Sequence, residues 1–148
     1  MAEGNTMAAH FKVLLTGITS ALALVLDDRI IIDGGIDFDD GRIIGQHHPQ
    51  VGERIVGRAL VFPNSGAFSV RAPAELINLL VKGVQPAAII LSRAAESEVL
   101  TGLLMADQRH RIRVPTAVCP PHEIKSIKSM DIVRFENTTV SIDPCPDD

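Results

Sequence analysis

A chain of 148 residues that is 46% hydrophobic and 22% charged is expected to fold as one globular domain and not to stay disordered. Its net charge of −4, without a long basic run, argues against nucleic-acid binding. Trp and Tyr are absent and Phe occurs five times, which removes an aromatic platform for stacking bases and leaves the core to Val, Ile, Leu and Ala.

Residues 1–10 read as a flexible leader. Glu3 and the lack of a basic start or apolar stretch argue against a secretory signal. No apolar run reaches membrane-spanning length, so a cytoplasmic chain without a membrane partner is expected. The domain is placed at residues 11–142. Its first third reads as short strands without a helix: Phe11–Thr16 broken by Gly17, then Ala21–Leu26, then Ile30–Ile32 ended by Asp33-Gly34-Gly35. Asp39-Asp40-Gly41 reads as a hairpin turn into Arg42-Ile43-Ile44. The carboxylates of Asp37 to Asp40 lack the spacing of an EF-hand. His47 and His48 are adjacent, so on a strand they would face opposite ways. Exposed or locally hydrogen-bonded histidines are expected, and no metal.

A buried strand is expected before Pro63. A loop of small residues follows from Asn64 to Ala72, and Pro73 can open a helix that Gly83 closes. Such a loop presents free backbone N–H groups and the positive end of a helix, which suits an anion and a serine hydroxyl. Equally, it is ordinary connection chemistry. Ala87–Leu91 reads as a strand covered on both faces. A helix follows from Ser92, with Val99, Leu100, Leu103 and Met105–Ala106 on its buried side and Arg109, His110 and Arg111 at its end. Val114–Val118 is a further strand, Pro120-Pro121 starts a helical turn, and Met130–Phe135 and Thr139–Ile142 form a hairpin. Residues 143–148 read as a flexible acidic tail. Cys119 and Cys145 lack a zinc-type spacing and read as free thiols in a reducing compartment. The pattern is a mixed α/β domain, with layered strands and helices on one side.

The ordered set Leu24-Val25-Leu26, Gly34-Gly35-Ile36-Asp37, Gly41-Arg42-Ile43-Ile44, His48-Pro49-Gln50-x-Gly52, Val56-Gly57-Arg58-x-Leu60-Val61-Phe62-Pro63, Pro86–Ile90 and Ile112-x-Val114-Pro115 resembles the aconitase X small-subunit family. The resemblance implies a swivelling β/β/α domain like the mobile fourth domain of aconitase. It implies a hydro-lyase subunit that dehydrates a small hydroxy acid, with cis-3-hydroxy-L-proline favoured over mevalonate 5-phosphate, and that is inactive alone. It also implies a large-subunit partner carrying an iron–sulfur cluster, with no cofactor on this chain.

The resemblance implies a proton-accepting loop serine: anchored on Phe62-Pro63, Ser69 falls on a second hydroxyl position, and with a gap earlier in the loop Ser69 is the base, with Ser65 in reserve. Gly34, Gly35, Asp37, His48, Gly66 and Arg71 would line the substrate side. The chain departs from the family pattern at three positions, two in this loop and one before Gly34-Gly35. Phe68 stands where a first serine belongs, Arg71 replaces a glycine, and Asp33 replaces an aromatic residue. Arg71 could clamp a substrate carboxylate or phosphate, or its bulk could block the site. A non-catalytic binding or regulatory subunit is the alternative, and a solitary ligand-binding domain the third reading.

Overall fold

The computed structural model describes residues 10–64, 67–69, 72–92 and 97–145. In chain order the elements are β1 (Lys12–Leu15), β2 (Ile18–Val25), β3 (Ile30–Ile31), the single turn α1 (Ile32–Gly35), β4 (Ala59–Phe62), β5 (Phe68–Ser69), α2 (Pro73–Val81), β6 (Ala88–Leu91), α3 (Ser97–His110), β7 (Thr116–Val118), α4 (Pro121–Ile124), β8 (Ile132–Glu136) and β9 (Thr139–Asp143). Seven strands make one sheet in the order β1-β7-β6-β4-β2-β8-β9. Its centre is parallel, with β2, β4, β6 and β7 running the same way. The edges are antiparallel, β1 on β7 and β8 and β9 beside β2.

Every residue of β4 and of β6 is buried. That is why both read as continuous apolar runs without alternation. Leu60, Phe62, Ile89 and Leu91 point to a layer formed by Leu76, Leu79 and Leu80 of α2 and Val99, Leu103 and Ala106 of α3. Ala59, Val61, Ala88 and Ile90 point the other way and meet Val133, Phe135, Val140 and Ile142 of the closing hairpin. For strands of one sheet to pack on each other's faces, the sheet must curl. Ile124 and Ile127, from and just after α4, complete this second core. Helices α2 and α3 thus share one face, as expected, while the short α4 lies on the other.

Several local features differ from the sequence expectation, among them a β2 that starts at Ile18 and an α3 that runs from Ser97 to His110 with Ser92 outside it. The run Ile30–Ile32 is a strand of two residues followed by α1, which Gly34 interrupts with φ +87°. The loop after β4 contains β5, which pairs in parallel with β3 to make a second, two-stranded sheet. β9 runs on to Asp143, and the Cys145 amide donates to the buried Asp131 carboxylate at 2.9 Å. The hairpin turn at residues 37–42 is as expected: Gly41 has φ +77° and donates to the Asp37 carbonyl at 2.8 Å. Residues 1–9 of the leader and 146–148 of the tail lie outside the described residues. Among the described residues no helix is long and apolar enough to cross a membrane.

Helix α2 begins with Pro73 in its first turn and ends before Gly83, whose φ of +96° closes it. Helix α3 packs on it through Gly102, where a Cβ would sit 3.2 Å from both the Leu76 side chain and the Pro73 carbonyl oxygen. A larger side chain there cannot fit without moving a helix. Gly102→Leu is therefore expected to lower stability by about 1–3 kcal/mol, the usual cost of overpacking, as a shift of the urea midpoint.

The end of α3 is tied down by Arg113, which grips Asp107 through two bonds of 2.9 and 2.8 Å and donates to Thr16 Oγ1 at 2.9 Å. The hydrogen bond from Arg113 holds the Asp107 carboxyl below its ordinary value of 3.8. A depressed carboxyl contributes stability above its unfolded value, and that contribution disappears as pH falls through the folded one. Acidification below pH 3.8 should thus destabilise the native chain more than Asp107→Asn, as followed by urea titrations across that range.

Candidate active site

Because β2, β4, β6 and β7 are parallel, the loops after them gather at one edge. Crevices outside the carboxyl ends of parallel strands are where ligands of such sheets bind. Side chains lace these loops together. The Asp27 backbone N–H donates to Gln50 Oε1 at 3.0 Å, while Gln50 Nε2 donates to Asp27 Oδ2 at 2.8 Å. Asn64, just beyond the end of β4, donates from Nδ2 to the Asp27 carbonyl at 2.9 Å. Ser92, directly after β6, donates to the Asn64 carbonyl at 3.1 Å. His48 Nδ1 accepts the Gln50 N–H at 3.0 Å, which leaves Nε2 to carry the proton toward the Asp28 carbonyl at 3.1 Å. The ring is a brace with both nitrogens engaged, and His47 is exposed, as expected of this pair.

The two-stranded sheet aims Ser69. Ile30 pairs with Phe68 and Ile31 with Ser69. Ile30 and Phe68 are both buried, and the Phe68 ring packs on Phe62 with centroids 5.7 Å apart. Alternation then turns Ile31 and Ser69 the other way. Ile31 is 55% exposed and Ser69 half-buried. Ile31 lines a cleft of about 180 Å³ together with Asp28, Gly35, Gly45, His47 and His48.

The glycine pair shapes this wall. Gly34 reverses the chain with its positive φ, and a Cβ on Gly35 would lie 2.9 Å from Ile31 Cβ. Gly35 also accepts the amides of Ile44 and Gly45, at 3.0 and 3.3 Å. A neighbouring cleft of about 350 Å³ lies between Asp33, Gly34 and Phe38 on one side and Glu75 and Asn78 of α2 on the other.

Among the sequence-derived candidates, Gly35 and His48 share the first cleft and Gly34 lines the second. Ser69 stands on the strand beside Ile31. Asp37 lines neither: its Oδ1 accepts the Asp39 amide at 2.7 Å, inside the hairpin turn. Ser65, Gly66 and Arg71 lie outside the described residues. Residue spacing did not single out Asp27, Gln50, Asn64 or Ser92. Each follows a strand end or sits in the histidine loop, so the parallel strand order is the signal that finds them.

Both cysteines are free, Cys119 buried and Cys145 exposed. Burial, and behind it the Glu123 carboxylate, pushes the Cys119 thiol up to about 11, so it stays protonated. Among the described residues no three His, Cys, Asp or Glu side chains converge on a metal-binding point.

Residues 8–142 match the sequence profile of the aconitase X swivel domain. The chain belongs to that family. The crystal structure of aconitase X from Thermococcus kodakaraensis superposes with a TM-score of 0.74 at 21% identity, over 92% of this chain and 98% of that one, which establishes the swivel-domain fold. The phosphomevalonate dehydratase small subunit of Methanopyrus kandleri is 32% identical over 116 residues, 78% of this chain and 80% of that protein. That of Methanocella arvoryzae is 29% identical over 126 residues, 82% of this chain and 87% of that protein. The cis-3-hydroxy-L-proline dehydratase of Hypocrea jecorina is 30% identical over 109 residues, 73% of this chain, but the match spans only 18% of that much longer protein.

In this aconitase X swivel domain the Gln50–Asp27 pair is the clamp that fixes the β2–β3 turn. Gln50→Ala removes both bonds, each worth about 0.5–1.5 kcal/mol. The Asp27 amide is expected to exchange its hydrogen at least about tenfold faster, while β4 and β6 amides keep their protection.

Proposed function

We propose that this chain is the small subunit of an aconitase X-type dehydratase. It delivers the Ser69 hydroxyl, as proton acceptor, to a small hydroxy acid held by a large subunit. The observation that carries this reading is the match over residues 8–142, joined to its correspondence with most of the length of separate small subunits. The same module occupies a small part of one long dehydratase chain, so its working context there includes much more protein. Family and size together favour a subunit over a solitary domain.

The geometry supports the division of labour. Clefts of about 180 and 350 Å³ lie open side by side here, which suits one wall of a shared site. Phe68 is committed to the core, which leaves Ser69 as the outward hydroxyl of β5. A serine is a weak base in water and needs neighbouring donors and exclusion of solvent to accept a proton. Closure of the loop edge onto a partner supplies the second condition. The iron–sulfur cluster belongs, on this reading, to the large subunit. There it would act as the Lewis acid at the leaving hydroxyl.

The test is co-expression with an aconitase X large subunit, followed by assays of water loss from cis-3-hydroxy-L-proline and from mevalonate 5-phosphate. The complex is expected to turn over one of them and the isolated chain neither. Ser69→Ala in the intact complex should lower kcat by about a hundredfold or more, the usual contribution of a positioned base. Full activity of that variant would remove Ser69 from the chemistry. A stable complex that dehydrates neither compound would favour a regulatory subunit.

A further inference from the structure

A second polar cleft, of about 380 Å³, lies away from the loop edge and is lined by Arg42, Gly52, Glu53, Arg54, Val56 and Arg58. Arg58 precedes the amino end of β4, whereas the candidate site lies beyond its carboxyl end, across a strand of about 13 Å. The cleft is built on a pairing of like charges beside the Asp40 carboxylate. Arg42 and Arg54 stand opposite each other in an isolated antiparallel bridge, a placement in which like charges destabilise.

Protein partners fix the three guanidinium groups: every nitrogen of Arg58 is engaged, its Nη2 also reaching Met130 Sδ at 3.7 Å, while Arg42 and Arg54 keep donors to spare. Arg42 Nη1 donates to the Gly52 carbonyl at 3.2 Å, and its Nε lies 3.5 Å from Asp40 Oδ2. Arg54 Nε donates to the Asp40 carbonyl at 2.9 Å. Arg58 donates to the Leu22 and Ala23 carbonyls at 3.3 and 2.8 Å, and its Nη1 is 3.6 Å from Glu53 Oε1. Among the described residues the terminal nitrogens of Arg54 carry no protein hydrogen bond. The three cations outnumber the carboxylates of Asp40 and Glu53, in a chain whose net charge is −4. A rigid fork of guanidinium donors is the arrangement that recognises tetrahedral oxyanions.

We propose that this cleft is a binding site for a phosphoryl-type oxyanion, either free phosphate or the phosphoryl group of a small molecule. The anion bridges Arg42 and Arg54 and relieves their mutual repulsion, with Arg58 at the inner end. Gly52, which accepts the Arg42 bond, closes the loop that carries His48 and Gln50. The site is therefore joined to the candidate active site by one continuous segment.

The experiment is a titration of the full ¹⁵N-labelled chain with inorganic phosphate at constant ionic strength, set by sodium chloride. A second arm uses glycerol 3-phosphate. Saturable shifts of the Arg42, Arg54 and Arg58 Nε–H signals are expected in the phosphate arm. Tighter binding in the second arm identifies a phosphorylated small molecule as the ligand, and equal binding identifies the free ion. Arg54→Gln should weaken binding about tenfold, as expected for the loss of a charge-assisted contact. Arg54→Lys, which keeps the charge and loses the fork, provides the same reading if the first variant does not fold. Lys125→Gln, on the α4 side of the molecule, should leave the curve unchanged. Shifts that rise linearly without saturating, or an affinity unaltered in both Arg54 variants, would overturn the site.

Discussion

The burial of one aromatic ring decides where the loop hydroxyl goes. Phe68 packs on Phe62 at the end of the central strand, with ring planes tilted by 60°. Removing a ring of that size from water contributes about 1.5–3 kcal/mol, a strong local bias for the pairing of β3 with β5. Once Phe68 is fixed inward, the pleat forces Ser69 outward beside Ile31. The same register places Ile30 in the core and Ile31 on the cleft. A single hydrophobic contact thus orients the polar group beside it.

Around that anchor, polar bonds hold the loop edge together. Asp27, Gln50, Asn64 and Ser92 connect neighbouring loops through side chain and backbone. His48 braces the same edge against Asp28. Each bond is modest in water, yet together they link segments far apart in the chain. A preorganised edge on a rigid parallel sheet is what a domain needs if it is to move as one body and present the same wall each time it closes.

Strand and helix positions were largely legible because local chemistry writes them plainly. Pro73 and Gly83 bracket α2, Asn137-Thr138 turns β8 into β9, and the unbroken apolar runs at β4 and β6 announce burial on both faces. The short sheet of β3 and β5 was not legible. Two residues per strand carry no periodicity, and their pairing depends on the ring contact between Phe62 and Phe68. The curl of the main sheet was equally hidden, since alternation within the closing hairpin does not say which face of the sheet it will cover. The position of α4 opposite α2 and α3 follows from that curl.

By itself the sequence determined the class of the domain, its family, the order of its main elements and the presence of a serine-bearing loop, because these rest on residue types and their spacing along the chain. Tertiary structure alone decided that Ser69 faces outward, that Asp37 serves a turn, that Asn64 and Ser92 lace neighbouring loops, and that Arg42 and Arg54 oppose each other. These are relations between residues distant in sequence. They are set by strand register and by which face the core claims, quantities that no local pattern encodes.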